Sequence, residues 1–319
     1  SELVSFQSVS MQVFVSPVTD PLLNSGLETY FLDRFEGEGG LIYRNASSVS
    51  IGKNQNPYRE VDVRFCKRFN VPVLRRLSGG GAVFHDLGNI NTAFFGRRRA
   101  IGNDLYTRWS EPFIRFFETL GIKANRDGRN GLEVEGKKFS GSAQALRKER
   151  FLHHATMLFS SDLGLLEGSL TSIEGLVEGQ GVKSHRSLVV NLGDLLEKQT
   201  SVEVFMDDWV RFLSQFMNVT TVSDFPDDSG AYVQGQVETQ FGKWSWNIGR
   251  SPRYTYRLPV QDTALLIHVY RGVIDSLYWE GGIGYEDLSS ILIGKSFSLD
   301  SLLESGLKTL CPNLENIVF

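Results

Sequence analysis

Three consecutive glycines, Gly79, Gly80 and Gly81, stand between two segments of strand-like composition. Glycine loses more backbone freedom on folding than any other residue, and it lets the backbone approach a ligand closely and turn N–H groups toward an anion. Arg75 and Arg76 precede the run, and their planar guanidinium groups suit phosphate or carboxylate. The pattern indicates an anion-binding loop, and a flexible hairpin turn is the alternative.

A second stretch of small residues follows a lysine. Lys138 precedes Phe139, and residues 140–143 are Ser-Gly-Ser-Ala. Small side chains let a ligand lie against a strand, and a lysine ammonium can neutralise a phosphate or a developing oxyanion. A solvated surface lysine is the alternative, which the adjacent Lys137 favours. Lys138 is therefore a candidate catalytic group with a plain competing interpretation.

Two adjacent histidines and one asparagine are further candidates for a site. His153 and His154 stand before an apolar strand segment, and neighbouring strand residues point to opposite faces. One histidine could thus face a site while the other is solvated, and a hydrogen-bonded core histidine is an equal alternative. Asn130 lies in the turn-like segment 125–131, and its amide could contact a base or a ribose.

Composition and missing motifs exclude several function classes. The net charge of −4 over 319 residues makes no case for general binding to nucleic acid or to a membrane surface, and no apolar run approaches the roughly 18 residues that span a bilayer. Cys66 and Cys311 form no metal-ligand or redox pattern, which fits a reducing compartment or an organelle matrix. The chain has no Walker lysine motif, nucleophile elbow or HExxH motif, and its glycine run joins strand to strand, unlike a Rossmann turn. Phosphate binding would therefore use a different cradle, of the kind that holds an acyl-adenylate on a sheet.

Periodicity predicts the elements that would position these residues. Helices are expected over 21–35, 60–69, 103–120, 162–168, 187–197 and 202–217. Strands are expected over 41–44, 49–52, 71–76, 82–86, 92–95, 132–135, 138–146 and 154–159. Glu135-Gly136 is the predicted turn of a hairpin. The helix over 103–120 is expected to turn Phe113, Phe116, Phe117 and Leu120 inward.

The two ends of the chain and one internal segment are less regular. The later part of 3–15 is a predicted edge strand, and 220–236 reads as a loop or connector because it is rich in Asp, Ser, Thr and Gly. A small separate α+β unit is expected from about residue 250. Its predicted strands are 254–260, 264–270 and 273–279, and its predicted helices are 284–293 and 299–310.

With these motifs in view, the chain resembles the lipoate–protein ligase A and lipoyltransferase family, which is related in fold to biotin–protein ligases and octanoyltransferases. The matching segments occur in the family's order and cover most of residues 15–250. They are Tyr43-Arg44-Asn45, residues 51–57, residues 75–89, Gly128-Arg129-Asn130, residues 138–143, His153-His154 and residues 244–247.

The resemblance implies an α+β fold in two parts. A large mixed-sheet catalytic domain of the biotin/lipoate ligase type would span 1–247, with the site on its sheet. A small C-terminal α+β accessory domain would span 248–319. The protein is expected to be a monomer.

The resemblance also implies a role for each candidate residue. Lys138 would be catalytic, bridging the carbonyl and phosphate oxygens of lipoyl-AMP, and no residue is implied as a metal ligand. The residues implied for lipoate binding are Tyr43, Arg76, His85 and His154. Those implied for adenylate binding are Ser78, Gly79, Gly80, Gly81, Val83, Phe84, Asn89, Asn130 and Ala143.

The implied reaction is acyl transfer. An acceptor lysine attacks the activated carbonyl, AMP leaves, and Lys138 stabilises the charge that builds on oxygen. Positioning supplies much of the rate, and no covalent enzyme intermediate is needed. The expected acceptors are the lipoyl domains of 2-oxoacid dehydrogenase E2 subunits and the glycine-cleavage H protein.

One position departs from the family pattern. Members that activate lipoate with ATP usually have Asn-Asp after Gly-Arg, and here Gly131 stands in the place of that aspartate. The aspartate would help to hold Mg²⁺ and the triphosphate, since hard cations prefer carboxylate oxygens. We therefore expect acyl transfer to survive and ATP-dependent activation to be reduced or lost, unless another carboxylate such as Asp127 substitutes in space.

Several alternatives stay open at this point. The chain could move lipoyl groups between lipoyl domains without ATP, it could be an octanoyltransferase, or it could bind the ligand without chemistry. Some octanoyltransferases use a cysteine nucleophile, but Cys66 is not beside the glycine run. Residues 97–99, three arginines, are either a solvated turn or a docking site for acidic lipoyl domains. The expected compartment is the mitochondrial matrix, with the bacterial cytoplasm as the alternative.

Overall fold

The computed structural model describes residues 11–98, 105–219, 224–282 and 288–319. Its strands in chain order are β1 (Met11–Val15), β2 (Glu38–Tyr43), β3 (Ser48–Ile51), β4 (Val73–Arg75), β5 (Val83–His85), β6 (Asn89–Arg97), β7 (Asn125–Arg126), β8 (Gly131–Val134), β9 (Lys137–Arg147), β10 (Arg150–Leu158), β11 (Val177–Gly179), β12 (Tyr254–Val260), β13 (Thr263–Tyr270) and β14 (Val273–Trp279). Its α-helices are α1 (Pro21–Asp33), α2 (Pro57–Glu60), α3 (Val63–Arg68), α4 (Leu105–Thr119), α5 (Leu163–Ser169), α6 (Val202–Phe216), α7 (Ser229–Gln236), α8 (Ser289–Leu292), α9 (Leu299–Glu304), α10 (Leu307–Leu310) and α11 (Leu314–Ile317).

The chain divides into two compact units that alternate along the sequence. The first unit contains the residues up to Ala46 together with 85–162 and 186–237. The second unit contains 47–84, 163–185 and 238–319. The predicted accessory domain, 248–319, lies within the second unit, and the predicted boundary between 247 and 248 stays a prediction.

A seven-stranded sheet organises the first unit. Its strand order is β1-β2-β6-β10-β9-β8-β7, with β1 parallel to β2 and the other neighbours antiparallel. The sheet is therefore mixed, as predicted, and β1 is an edge strand. Glu135 and Gly136 form the turn between β8 and β9 with φ values of 52° and 74°, which matches the predicted hairpin.

Helices cover both faces of this sheet, as two neighbouring residues of β6 demonstrate. Phe94 stacks on Trp109 of α4, and the next residue, Phe95, stacks on Phe31 of α1. Successive strand residues point to opposite faces, so α4 lies on one face and α1 on the other. The α4 face also carries α6, whose Trp209 packs on Phe113 of α4.

Pairing between strands sets one row of residues across the α1 face. His154 on β10 lies opposite Ala93 on β6 and Ala143 on β9, and Ala93 lies opposite Leu41 on β2. Opposite residues share a face, so this row lies under α1. Tyr43, two residues after Leu41, lies on the same face.

Local sequence explains where α1 begins and what it buries. Asp20 caps the helix by accepting hydrogen bonds from the N–H groups of Leu22 and Leu23, and Pro21 occupies the first turn. Phe31 is fully buried, and Glu28 is almost so. The helix therefore buries one carboxylate together with its apolar side chains.

The second unit contains two further sheets. One has the order β4-β3-β5, and the other, antiparallel throughout, has the order β11-β12-β13-β14. Its core includes the buried aromatic residues Tyr58, Tyr256 and Phe297, whose rings touch. No described helix in either unit is long and apolar enough to cross a bilayer.

The structure corrects several predicted elements. The helix predicted over 187–197 is only a 3₁₀ turn at Leu192–Leu195, because Val190 N–H and Leu188 C=O bond to the backbone of Lys138 instead. Leu120 follows the end of α4 and is 36% exposed, so it does not point inward as predicted.

The connector predicted over 220–236 contains a helix, α7, where tertiary packing overrides a loop-like composition. Tyr232 of α7 stacks edge-on against Tyr30 of α1 and donates a hydrogen bond to Asp33. The start of the predicted segment, 220–223, lies outside the described residues, as do the first part of the 284–293 prediction and Arg99.

Candidate functional site

A buried carboxylate on α1 holds two of the residues predicted to bind lipoate. Glu28 is only 6% exposed, and its Oε1 accepts a hydrogen bond from Tyr43 Oη over 2.7 Å. His154 Nδ1 lies 3.1 Å from the same oxygen. Burial raises the pKa of Glu28, but His154 and Tyr43 together outweigh it, so the pKa is lowered overall. The ionised carboxylate fixes both partners on the α1 face of the sheet.

Glu28 was not among the site residues predicted from the sequence. Its signal was present, because one acidic residue interrupts an apolar run, Leu27 to Leu32, at positions that a helix would bury. A charge placed on such a face needs a partner. That requirement predicts a partner without identifying it as Tyr43 and His154.

His85, at the end of β5, is held by a chain of amides. Asn45 Nδ2 lies 3.1 Å from His85 Nδ1, and Asn24 Nδ2 donates to Asn45 Oδ1 over 2.8 Å. Asn24 also donates to the carbonyls of Val18 and Arg44. The side chains of Asn24, Asn45 and His85 are all buried. The contact with the Asn45 amide fixes the orientation of the His85 ring.

Neither of the adjacent histidines is solvated, so that part of the sequence-based interpretation is wrong. His154 is paired with Glu28, and its side chain is 13% exposed. His153 lies on the other face with 1% exposure, and its Nδ1 is 3.1 Å from Gln144 Nε2. Burial, reinforced by the nearby charge of His154, lowers the pKa of His153 to about 3. His153 is the hydrogen-bonded core histidine of the alternative, and His154 is the candidate site residue.

In the second unit, Arg76 folds the glycine loop between β4 and β5. Its guanidinium donates to the carbonyls of Gly79 over 2.6 Å and Gly81 over 2.7 Å, and to Ser78 Oγ over 2.9 Å. In a trans peptide the N–H points away from the carbonyl of the same unit, so Gly80 N–H points away from Arg76. Gly80 has a φ of 87°, which favours glycine. The loop thus turns carbonyls toward a cation and a backbone N–H outward, an arrangement suited to an anion.

A further layer of contacts supports this loop. The N–H of Ala82 donates to Ser184 Oγ over 2.8 Å, and Gln55 Nε2 donates to the same oxygen over 3.1 Å. The Ser184 hydroxyl donates in turn to the buried Glu60 carboxylate. Sequence reasoning missed Ser184 and Glu60, because a contact across more than a hundred residues has no local signature.

Arg75 does not present its guanidinium to a ligand, so the sequence-based interpretation of that residue is wrong. It is 1% exposed, and burial lowers its pKa to about 10. It donates to the backbone carbonyls of Gly52, Lys53, Gln55, Trp246 and Asn247. Arg75 therefore ties together the segments 51–57 and 244–247, both of which carry the resemblance described above.

Lys138 is not a solvated surface lysine, because it forms a half-buried ion pair. Its Nζ lies 2.9 Å from Asp127 Oδ2, and the two side chains are 24% and 12% exposed. Its backbone N–H donates to Leu188 C=O over 2.7 Å, and its carbonyl accepts from Val190 N–H over 3.1 Å. By contrast, the adjacent Lys137 is exposed. The structure thus separates the two lysines that the sequence left equivalent.

The asparagines predicted to contact the adenylate make hydrogen bonds within the first unit. Asn130 Nδ2 donates to the carbonyl of Ser142 over 2.6 Å, next to Ala143 on β9. Asn89 Nδ2 donates to Asn91 Oδ1 over 3.0 Å and is fully buried. Their predicted contacts with adenine or ribose stay predictions.

Two predicted site residues on β5, Val83 and Phe84, lie in the second unit. Phe84 is 2% exposed and belongs to the hydrophobic core of that unit, while Val83 is partly exposed. The predicted backbone contacts of Val83 and Phe84 to adenine stay predictions.

The lipoyl protein ligase A/B catalytic domain matches residues 20–214, which is more than half of the chain. The chain belongs to this family. A relative, lipoate-protein ligase LplJ of Bacillus subtilis, is 31% identical over 292 residues, which cover 88% of each chain. The family predicted from the motifs is confirmed.

Solved structures agree on the fold. Lipoate-protein ligase A bound with ATP aligns with a TM-score of 0.66 and 21% identity, over 76% of this chain and 99% of its own. The bi-partite lipoate protein ligase of Thermoplasma acidophilum, studied with its E2 lipoyl domain, aligns with a TM-score of 0.66 and 22% identity, over 76% of this chain and 98% of its own. These alignments confirm the predicted α+β fold of the biotin/lipoate ligase type.

The residues around position 131 do not fit a magnesium site. The carboxylate beside Gly131 is that of Asp127, which accepts hydrogen bonds from Lys138 and from the N–H groups of Arg129 and Gly131. Within the described ranges, no three His, Cys, Asp or Glu side chains cluster in a way that could hold a metal ion.

Proposed function

We propose that this chain transfers the lipoyl group of lipoyl-AMP to a lysine of a lipoyl domain. The acceptor nitrogen forms an amide bond with the lipoyl carbonyl carbon, the bond from that carbon to the phosphate oxygen breaks, and the amine loses a proton as AMP leaves. The family match over 20–214, a range that contains the glycine loop and Lys138, carries the proposal. LplJ, the relative described above, is named a lipoate-protein ligase.

Lys138 is proposed as the catalytic residue. Its ammonium has three N–H donors, of which one is directed at Asp127 over 2.9 Å. Donors aimed at the carbonyl and phosphate oxygens would stabilise the charge that develops there as AMP departs. Because the ion pair with Asp127 already holds the ammonium in place, the ammonium can stabilise this charge without reorganising during the reaction. The ion pair therefore supports a catalytic role for Lys138.

The glycine loop is proposed to bind the adenylate phosphate, and the predicted contact of Arg76 with lipoate stays a prediction. Arg76 supplies positive charge to residues 78–81 from the side opposite the outward N–H of Gly80. An anion on the outward side would receive backbone hydrogen bonds and the field of the guanidinium. Val83 and Phe84 are proposed to contact adenine through their backbone.

The α1 face of the first unit is proposed to bind the lipoyl chain. Tyr43 and His154 are fixed by the Glu28 carboxylate, and His85 is fixed by Asn45. Side chains held in this way bind a ligand with little further loss of conformational freedom. Asn89, Asn130 and Ala143 are proposed to complete the adenylate contacts.

Acceptor lipoylation measured as a mass shift tests this proposal. The protein is incubated with an acceptor lipoyl domain and one of three donors: lipoate with ATP and Mg²⁺, synthetic lipoyl-AMP, or a lipoylated H protein. Lys138→Ala should lower kcat with lipoyl-AMP about 100-fold, the size typical for loss of one oxyanion donor. Lys137→Ala is the matched control and should keep the wild-type rate. Wild-type protein that yields no product from any donor would refute the enzymatic proposal and favour a binding module.

The three donors also separate the finer alternatives. Product from lipoate and ATP would identify a full ligase, and product from the H protein alone would identify transfer between lipoyl domains. A cysteine-dependent octanoyltransferase is disfavoured, because burial raises the pKa of the Cys66 thiol to about 11. An octanoyl donor in the same assay tests the remaining version of that alternative.

Partner and compartment are proposed at a finer level. E2 lipoyl domains and the H protein are the proposed acceptors, and the Thermoplasma acidophilum neighbour was studied with an E2 lipoyl domain. The exposed Arg97 and Arg98 are candidate contacts for acidic acceptors, which salt would weaken. The mitochondrial matrix is retained as the proposed compartment, although the relative described here is bacterial and supports the alternative, a bacterial cytoplasm.

A further inference from the structure

A glycine and an ion pair compete for one volume at the start of β8. A Cβ placed on Gly131 would lie 2.4 Å from Asp127 Oδ2, 2.5 Å from Lys138 Cε and 2.6 Å from Lys138 Nζ. Real Cβ atoms essentially never come so close to another heavy atom. The φ of Gly131 is not in the left-handed region, so its backbone would accept any residue. A side chain at position 131 would therefore displace the ends of the Asp127 and Lys138 side chains.

Asp127 is itself held firmly. Its Oδ1 accepts hydrogen bonds from the N–H groups of Arg129 and Gly131, both over 2.9 Å, while Oδ2 faces Lys138. Burial raises the pKa of Asp127, but Lys138 and the two N–H donors outweigh it, so the pKa is lowered overall. The carboxylate is thus a charged, oriented anchor rather than a mobile surface group.

Lys138 is consequently fixed at both ends of its side chain. Its backbone is bonded on both sides to the segment 188–190, and its ammonium is bonded to Asp127. A free lysine side chain samples many rotamers, and fixing it costs conformational entropy. In an enzyme that uses this ammonium, the side chain must lose this freedom before the reaction. The contact with Asp127 restricts the Lys138 side chain in advance.

We propose that Asp127 is the positioning residue that aims the Lys138 ammonium, and that Gly131 provides the space this pair needs. The proposal rests on the proposed function, in which Lys138 touches the reacting oxygens. It assigns Asp127 no contact with the substrate. It also predicts that a carboxylate can sit at position 127 or at position 131, but not at both.

A carboxylate exchange between the two positions tests this. Asp127→Ala should lower kcat with lipoyl-AMP about 10- to 100-fold with less change in KM, because the ammonium loses its aim. Gly131→Asp should cause a similar loss, because the new side chain displaces the pair. The double variant Asp127→Ala/Gly131→Asp should be faster than either single variant, because one carboxylate then faces Lys138 again. Gly230→Asp is the control, because a Cβ there meets no atom within 4 Å.

Merely structural roles for the two residues would give a different pattern. Losses from the two single changes would then add, and the double variant would be the slowest of the set, which would overturn the proposal. Thermal unfolding of each variant checks that the protein still folds. The three atoms nearest to the new Cβ are all at the ends of flexible side chains, so the melting temperature should change little.

A second readout does not depend on activity. Under limiting acetic anhydride, mass spectrometry should show slower labelling of Lys138 than of exposed Lys137, since the ion pair covers the Lys138 nitrogen. Asp127→Ala should raise labelling of Lys138 alone, and the double variant should lower it again. Unchanged labelling of Lys138 in Asp127→Ala would overturn the positioning role even if wild-type protein were inactive with every donor, so the two proposals can be rejected separately.

Discussion

Stability of the first unit should depend on pH through one buried histidine. His153 has a folded pKa of about 3, against about 6.5 for a free histidine. As the pH falls below 6.5, the unfolded chain therefore binds a proton that the folded protein does not. The stability associated with neutral His153 is full above about pH 6.5 and is lost progressively as the pH falls toward 3.

The expected size follows from these two pKa values. The loss approaches about 1.4 kcal/mol per pH unit below pH 6.5, so the change from pH 7 to pH 5 is about 2 kcal/mol. Because pH 5 lies well above the folded pKa, this figure hardly depends on the exact folded value. His153→Asn removes the titrating ring and leaves an oxygen that can accept from Gln144 in place of Nδ1.

The assay is urea unfolding of the protein at pH 7, 6 and 5, followed by tryptophan fluorescence, to which the buried Trp109 and Trp209 of the first unit contribute. Wild-type protein should lose about 2 kcal/mol more than His153→Asn over this range. His185→Asn, at an exposed position, should follow the wild type. In NMR spectra, the imidazole signal that disappears in His153→Asn should not move between pH 8 and pH 5. A signal that titrates near pH 6.5, or equal losses in wild type and His153→Asn, would refute the reasoning.

Three further changes probe the parts of the candidate site. Glu28→Gln should destabilise the protein by about 1–3 kcal/mol in urea unfolding at pH 7, and since the folded pKa of Glu28 is lowered, the difference from wild type should shrink below about pH 4.5. The ammonium in Arg76→Lys cannot reach all four oxygens that the Arg76 guanidinium contacts, so the KM for lipoyl-AMP should rise about tenfold. Lys53→Arg, a control at an exposed position, should leave this KM unchanged. Gly52→Ala would place a Cβ 2.1 Å from the carbonyl oxygen of Gly80, so the loop should shift and transfer from lipoyl-AMP should fall at least about tenfold; unchanged kinetics would contradict the described loop support.

Local sequence determined much of the fold, and the reasons are visible at particular positions. Asp20 and Pro21 mark the start of α1, and Glu135-Gly136 specifies a tight turn between β8 and β9. In both places the interacting residues are close together in the sequence. Features of this kind can be predicted from a single sequence, because they do not depend on contacts with residues far away in the chain.

The failures have the opposite cause. The segment 187–197 has helical periodicity, but its backbone bonds to Lys138, some fifty residues earlier. Arg75 is typical of a ligand-binding cation by type and position, yet carbonyls from 246–247 help to surround it. Distant partners of this kind decide whether a charged residue supports a site or forms one, and spacing along the chain does not reveal them.

At position 131, too, a residue from elsewhere in the sequence changes the interpretation. The chain has no carboxylate at position 131, where Gly131 stands, and this absence predicts that ATP-dependent activation is reduced or lost. By space, Asp127 Oδ2 lies 2.4 Å from where a side chain at 131 would begin, so negative charge beside Lys138 is retained from another residue. Yet both oxygens of Asp127 already accept hydrogen bonds, and a hard cation would have to compete with Lys138 for them.

The two functions of such a carboxylate, positioning the lysine and binding a metal ion, can therefore be separated. A carboxylate that positions the lysine supports acyl transfer, whereas one that binds metal supports activation. We expect the wild type to use lipoyl-AMP at least about 100-fold faster than lipoate with ATP and Mg²⁺, a difference of about 2.7 kcal/mol in transition-state stabilisation. The comparison is made on one acceptor domain with both donors at saturation. Equal rates from the two donors would mean that activation does not need a carboxylate at position 131, and our inference from Gly131 would then be wrong while the positioning role of Asp127 could still hold.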